Sequence, residues 1–207
     1  MSEQQSNVAA TTTTQEEEEP IFDEFTDNLF QIDESYFKKP KPVRIETYQI
    51  EGTDMEIKVS LLGDHSLWAN YMWNASKCIS QYFYENQDLI RDKTVIEMGA
   101  AGGLPSLVCA KLGAKKVVVT DYNDVLLIDN LKRNVELNFP ADVQNIEVRG
   151  HTWGEKLEET FGKKGQQEKY DVIILSDLLF NHICHYKLLD SCEYVSHENT
   201  IIYVSYT

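Results

Sequence analysis

With 207 residues, 34 acids against 19 lysines and arginines and a formal charge of −15, the chain is of single-domain length and strongly acidic. That balance excludes a protein that holds nucleic acid by neutralising its phosphates. Four cysteines without Cys-x-x-Cys spacing, no basic-then-apolar leader and no apolar run of membrane-spanning length give the expectation of a thiol-reducing compartment, cytosol or nucleus, and no membrane attachment; a cytoplasmic monomer is the expected form.

Ten of the acids and no lysine or arginine fall in residues 1–37, a Thr-, Gln- and Glu-rich stretch that reads as a disordered, solvating tail. Within it Ile21, Phe22, Phe25, Leu29 and Phe30 form a weak apolar set that would suit a short helix. Lys38-Lys39-Pro40-Lys41-Pro42 reads as a linker, because each proline biases its predecessor away from helix. Val43 to Ile50 and Met55 to Leu62 alternate apolar and polar around Glu51-Gly52-Thr53-Asp54, the pattern of a β-hairpin. The segment from Leu67 leads into a helix running to about Asn86, with Ser66 as its N-cap. Trp68 and Tyr71 are assigned to core packing of that helix. The hairpin and helix, residues 38–92, precede an α/β core over 93–207.

The core opens with Thr94 to Met98, an apolar run that stops at Gly99-Ala100-Ala101-Gly102-Gly103 and gives way to a helical period through Leu107, Val108, Ala110 and Leu112. Strand, tight turn and helix in that order open a nucleotide-binding unit, the small residues letting a ligand lie against bare main chain. Ala101 replaces the second glycine of a dinucleotide fingerprint and Glu97 precedes Gly99 by two residues, both of which favour S-adenosylmethionine. Asp121, 22 residues after Gly99 and at the end of the strand 116–121, can accept from two ribose hydroxyls; that feature alone fits NAD equally well.

Helix 103–113, helix 124–138, strand 145–149, strand 170–176, helix 184–196 and strand 200–206 complete the alternation, with Gly162 to Glu168 a polar loop. Val-Val-Val and Val-Ile-Ile-Leu runs read as parallel strands buried on both faces. Right-handed crossovers place the ligand crevice at the carboxyl ends of the strands 94–98 and 170–176. Gly99, Asp121, Trp153 and Ser176 fall at strand ends or just beyond. His182, Cys184, His185 and Cys192 are too irregularly spaced for a metal site, and the two histidines are read as rim residues.

Together, Leu67-Trp68, Met72-Trp73-Asn74-Ala75, Glu97 through Ser106, Thr120-Asp121-Tyr122, Thr152-Trp153-Gly154 and Leu175 through His182 resemble the seven-strand S-adenosylmethionine-dependent methyltransferases, family-16 group, over residues 43 to 207. The fold so implied is a Rossmann-like, doubly wound, mostly parallel sheet with an N-terminal hairpin. The resemblance places Trp73, Gly99, Ala100, Ala101, Asp121, Trp153 and Ser176 around the methyl donor. It matches Asp177-Leu178-Leu179-Phe180 to an acid-x-x-aromatic motif in which Asp177 orients the acceptor amine and Phe180 walls its slot. An N-terminal-and-lysine methyltransferase branch implies elongation factor 1-alpha as the protein substrate. As a bare residue, Asp177 also suits a helix N-cap.

In that family the sheet continues beyond the fifth core strand with a helix and an antiparallel strand pair, whereas this sequence ends at Thr207. The expectation is a chain lacking its last strands, with an open apolar edge. A non-catalytic interaction protein and a small-molecule methyltransferase with a nicotinamide-type acceptor stay open as alternatives; a nicotinamide-dependent oxidoreductase is disfavoured by Ala101.

Overall fold

The computed structural model describes residues 42–63, 67–180 and 182–207. The acidic tail, its apolar set, most of the Lys38-to-Pro42 linker and the Ser66 cap lie outside the described residues.

The expected hairpin pairs β1 (Arg44–Gln49) antiparallel to β2 (Glu56–Leu61), Ile45 standing opposite Ser60 and Tyr48 opposite Ile57. The following helix, α1 (Asn74–Glu85), begins later than the aromatic run implied and has no side-chain cap. Residues 67–73 form a loop instead. Trp68 and Tyr71 are 49% and 46% exposed, which corrects their assignment to the core: the residues of this loop that reach inward are Ala69 and Met72.

The sheet is built from β3 (Thr94–Met98), β4 (Lys116–Asp121), β5 (Ile146–Gly150), β6 (Tyr170–Ser176) and β7 (Ser196–Ser205). All are parallel in the order β5-β4-β3-β6-β7. Winding reverses between β3 and β6, the place where an open α/β sheet leaves a crevice at its carboxyl edge. Four helices accompany these strands: α2 (Leu104–Lys111), α3 (Val125–Asn138), the short α4 (Leu157–Phe161), which the sequence pattern did not reveal, and α5 (His185–Val195). β7 begins four residues before its expected start, where an irregularity at Tyr170 and Val172 of β6 interrupts the pairing.

Successive strand residues serve opposite faces. Val95, Val117, Val119, Val172 and Ile174 join β2, α1 and α2 in one cluster; Ile96, Met98, Val118, Ile173 and Leu175 join α4 and α5 in the other. The hairpin belongs to the first cluster through Ile57, Val59 and Leu61. Along β7, the last strand in the sheet order, Ile201, Ile202 and Val204 are about half exposed.

Candidate functional site

The turn after β3 owes its shape to glycine. Gly99 lies at φ +63° and Gly103 at φ +74°, a left-handed region that side chains resist. A Cβ on Gly99 would come within 2.8 Å of Leu178 Cδ2 and 3.1 Å of Trp153 Cζ2. Ala101, also left-handed at φ +50°, carries the strain that a second glycine would relieve. The turn is tied to β4 by the Ala100 amide on the Thr120 carbonyl (3.0 Å) and by Thr120 Oγ1 donating to the Glu97 carbonyl (2.7 Å).

Around this turn the carboxyl ends of the strands enclose a cavity of about 690 Å³, the size of a small-molecule site. Every candidate from the sequence lines it: Trp73, Gly99, Ala100, Ala101, Asp121, Trp153, Ser176, Asp177 and Phe180. So do Trp68 and Tyr71, and the chain's three tryptophans therefore share one hollow.

Asp121 closes β4 with its carboxylate almost covered (9% exposed). One oxygen accepts the Ala101 amide and the other the Tyr122 amide, each at 2.6 Å. A carboxylate oxygen carries two lone pairs, so acceptor capacity remains for hydroxyl donors. The Ser176 hydroxyl is buried with no hydrogen-bond partner, a polar atom on the cavity wall for which a ligand would supply the missing contact.

Two titratable groups sit in the floor. Glu97 is 1% exposed and accepts the Ser106 hydroxyl (2.5 Å) and amide (3.1 Å) on one oxygen. Burial pushes its carboxyl up to about 8; the Ser106 bonds oppose that rise and the neighbouring Asp121 charge adds to it. His151, 2% exposed, is held near 4 by burial and is neutral at physiological pH. Its Nε2 lies 2.9 Å from the Ser191 hydroxyl oxygen, which also accepts the Gly154 amide (2.8 Å) and lies 3.0 Å from the Lys187 carbonyl. Its Nδ1 is buried without a partner.

Asp177 lies at φ +57° just past β6, its amide on the Ser205 carbonyl at 2.7 Å. Its carboxylate accepts Thr207 Oγ1 (3.2 Å) and amide (3.4 Å). No helix starts here, which removes the N-cap reading. Phe180 is 55% exposed at the mouth, its ring 4.8 Å from that of Trp68.

The turn and Asp121 were legible from glycine spacing and a strand-terminal acid. Glu97 was noticed only as a spacing cue, and His151 was missed because a single histidine after a strand carries no pattern. His182 and His185 meet edge to face with ring centroids 5.2 Å apart and are not among the residues lining the cavity, whereas Cys184 is. Among the described residues no group of three His, Cys, Asp or Glu side chains is placed to hold a metal.

Comparison with known proteins gives a consistent result. The model of a family described as lysine methyltransferase matches residues 52–207. Over 172 residues the chain is 41% identical to the protein N-terminal and lysine N-methyltransferase efm7 of Schizosaccharomyces pombe, covering 81% of this chain and 67% of that protein. It is 37% identical over 176 residues to the EFM7 enzyme of Cryptococcus neoformans, 81% of this chain but 58% of that one. The chain thus spans about three-fifths to two-thirds of these relatives' lengths. Among solved structures it resembles the Thermus thermophilus 16S rRNA N2 G1207 methyltransferase in complex with AdoMet and guanosine, at TM-score 0.58 and 16% identity, over 81% of this chain and 42% of that one. At that identity the likeness speaks for a Rossmann-like methyltransferase fold alone.

Proposed function

The chain belongs to the lysine methyltransferase family, and from that membership we propose that it transfers methyl groups from S-adenosylmethionine to amines of a protein, the N-terminal glycine and adjacent lysine of elongation factor 1-alpha. The observation that carries this reading is that all nine residues chosen from the sequence face a single cavity. When bound, S-adenosylmethionine supplies an activated methyl on a sulfonium centre.

The residues suit that group. The Gly99-Ala100-Ala101 turn lines the cavity with main chain and nothing larger than a methyl group, which the methionine portion can approach closely. Asp121 accepts from ribose hydroxyls with its remaining lone pairs. Trp153 and Trp73 supply flat apolar walls for the adenine and for the positive sulfur. Ser176 offers a hydroxyl buried without a partner.

Asp177 would hold the incoming amine by a charge-assisted hydrogen bond and set its line of approach, and Phe180 would narrow the slot. Their contribution is chiefly orientation, since displacement at a methyl carbon needs nucleophile and leaving group in line. The amine must lose its proton before attack, to water or to a carboxylate. A translation factor as substrate goes with a cytoplasmic location, and the enzyme acts as a monomer.

The test incubates the protein with isotopically labelled S-adenosylmethionine and recombinant elongation factor 1-alpha. Label in the N-terminal peptide is expected. Donor binding by calorimetry without transfer to that protein would refute the assigned substrate, and transfer to nicotinamide instead would move the acceptor to a small molecule.

A further inference from the structure

The loop leading into α1 carries an indole that the proposed reaction has not yet used. Ala69 and Met72 are buried (0% and 4% exposed), and the Ala69 carbonyl accepts the Leu62 amide at 3.1 Å. Arg44 holds the same loop by donating to the Asn70 carbonyl at 3.0 Å. The loop is therefore fastened to the hairpin at its inward residues, while Trp68 and Tyr71 are turned out of the core.

Trp68 is unfavourable twice over. Its large apolar ring is half in water, and its backbone sits at φ +57°, where a bulky side chain is an outlier. The conformation is held by Trp73, whose Nε1 donates to the Trp68 carbonyl at 3.1 Å. Strain of this kind at a cavity wall marks a residue kept for what it faces.

What it faces is Phe180. The two rings meet edge to face, centroids 4.8 Å apart at an interplanar angle of 62°, one from the loop before α1 and the other from the loop after β6. Both line the cavity, both are half exposed, and Asp177 lines it with them. A half-wet aromatic pair that shares a cavity with a carboxylate offers π face and negative charge in one hollow, the combination that takes up an ammonium group. The neighbouring Tyr71 ring already has the Lys77 ammonium 5.9 Å from its centroid.

We propose that Trp68 contacts the acceptor: with Phe180 it forms the two sides of the entrance through which a cationic amine reaches Asp177, and it selects that amine by its aromatic face. This assignment rests on the amine-methylating reading above and adds a specificity-determining residue to it.

The test uses the full chain, labelled S-adenosylmethionine and a synthetic peptide beginning Gly-Lys with a free amino terminus. Trp68→Phe and Trp68→Tyr are expected to keep the peptide KM within about threefold of the parent, and Trp68→Leu to raise it about 5- to 30-fold. Donor affinity by calorimetry stays within about twofold and Tm is unchanged in all three. A purely space-filling role predicts that Leu and Phe behave alike, and that result would overturn the proposal. So would a loss of donor affinity in Trp68→Leu equal to the rise in peptide KM, which would move Trp68 to the cofactor wall. If Trp68→Leu does not fold, Phe180→Leu answers from the opposite loop, and an unchanged peptide KM there rejects the entrance. Failure of the broader reading looks different: the unmodified chain then binds donor yet methylates no amine.

Discussion

The side-chain amide of Asn134 donates to the Gly102 carbonyl at 2.9 Å while its oxygen accepts the Ser60 amide at 2.6 Å, so one buried residue of α3 joins the hairpin to the ligand-facing turn. Asn130 and Asn138, one helical turn to either side, serve the same edge of β2: Asn130 donates to the Ser60 carbonyl (2.9 Å), and Asn138 both donates to the Lys58 carbonyl (2.7 Å) and accepts its amide (2.9 Å). Spacing of four residues puts the three carboxamides on one helix face, and alternate residues of a strand present their main-chain groups to it. An edge strand is thereby completed without a third strand.

Asn134→Ala would leave the buried Ser60 amide and the partly buried Gly102 carbonyl without this partner. The expected loss is about 2–3 kcal/mol, a fall in Tm on the order of 5–10 °C for a domain of this size. Asn138→Ala, at a more exposed rung, should cost less than half as much. Scanning calorimetry of the two variants checks the order.

Gly99→Ala must place a methyl group against Leu178 and Trp153 while adopting left-handed backbone. Donor affinity should fall at least about tenfold, with a stability loss on the order of 1–2 kcal/mol. Gly52, also left-handed at φ +74°, has nothing within 4 Å of the added carbon. Gly52→Ala should therefore lose about 1 kcal/mol and no affinity. Titration calorimetry separates the two.

Buried Glu97 and His151 make opposite contributions to the pH dependence of stability. Glu97 has a folded pKa raised to about 8, so the folded state holds a proton that the unfolded state has released, and stability declines as pH rises from the ordinary carboxylate range through 8. His151 is depressed to about 4, so its contribution is complete above the ordinary histidine value and declines as pH falls towards 4. Each slope is at most about 1.4 kcal/mol per pH unit. Between the ordinary carboxylate and histidine values the two slopes oppose each other, so denaturant titrations from pH 4 to 9 should show that Glu97→Gln removes the decline towards pH 8 and steepens the acidic limb, whereas His151→Gln leaves the Glu97 decline standing alone.

Asp121 and Asp177 should separate binding from turnover. Asp121→Ala is expected to weaken donor affinity about 10- to 100-fold, the loss of one or two hydrogen bonds to a charged acceptor. Asp177→Asn keeps the shape and should leave donor affinity within about twofold while kcat/KM for the protein acceptor drops on the order of a hundredfold. Equal effects of both variants on donor binding would contradict the separate roles.

The strands of the core were legible because a parallel strand buried on both faces is a short apolar block, and β3, β4 and β6 begin and end where those blocks do. The turn was legible because glycine at positive φ has few substitutes. Less visible was α4, five residues long, too short to show a helical period. The aromatic loop misled for a physical reason: Trp68 and Tyr71 have the composition of a core, and their exposure is set by Ala69 and Met72 taking the inward places. The Asn130, Asn134 and Asn138 ladder could have been found in the sequence as a polar stripe at helical spacing, but nothing in it names the strand it completes.

Because Trp68, Trp73 and Trp153 are the chain's full complement of indoles and all border one hollow, light absorbed at the red end of the protein spectrum is re-emitted from that hollow and nowhere else. The molecule is its own occupancy meter: a compound that enters the hollow is expected to alter emission colour or yield, with no dye attached.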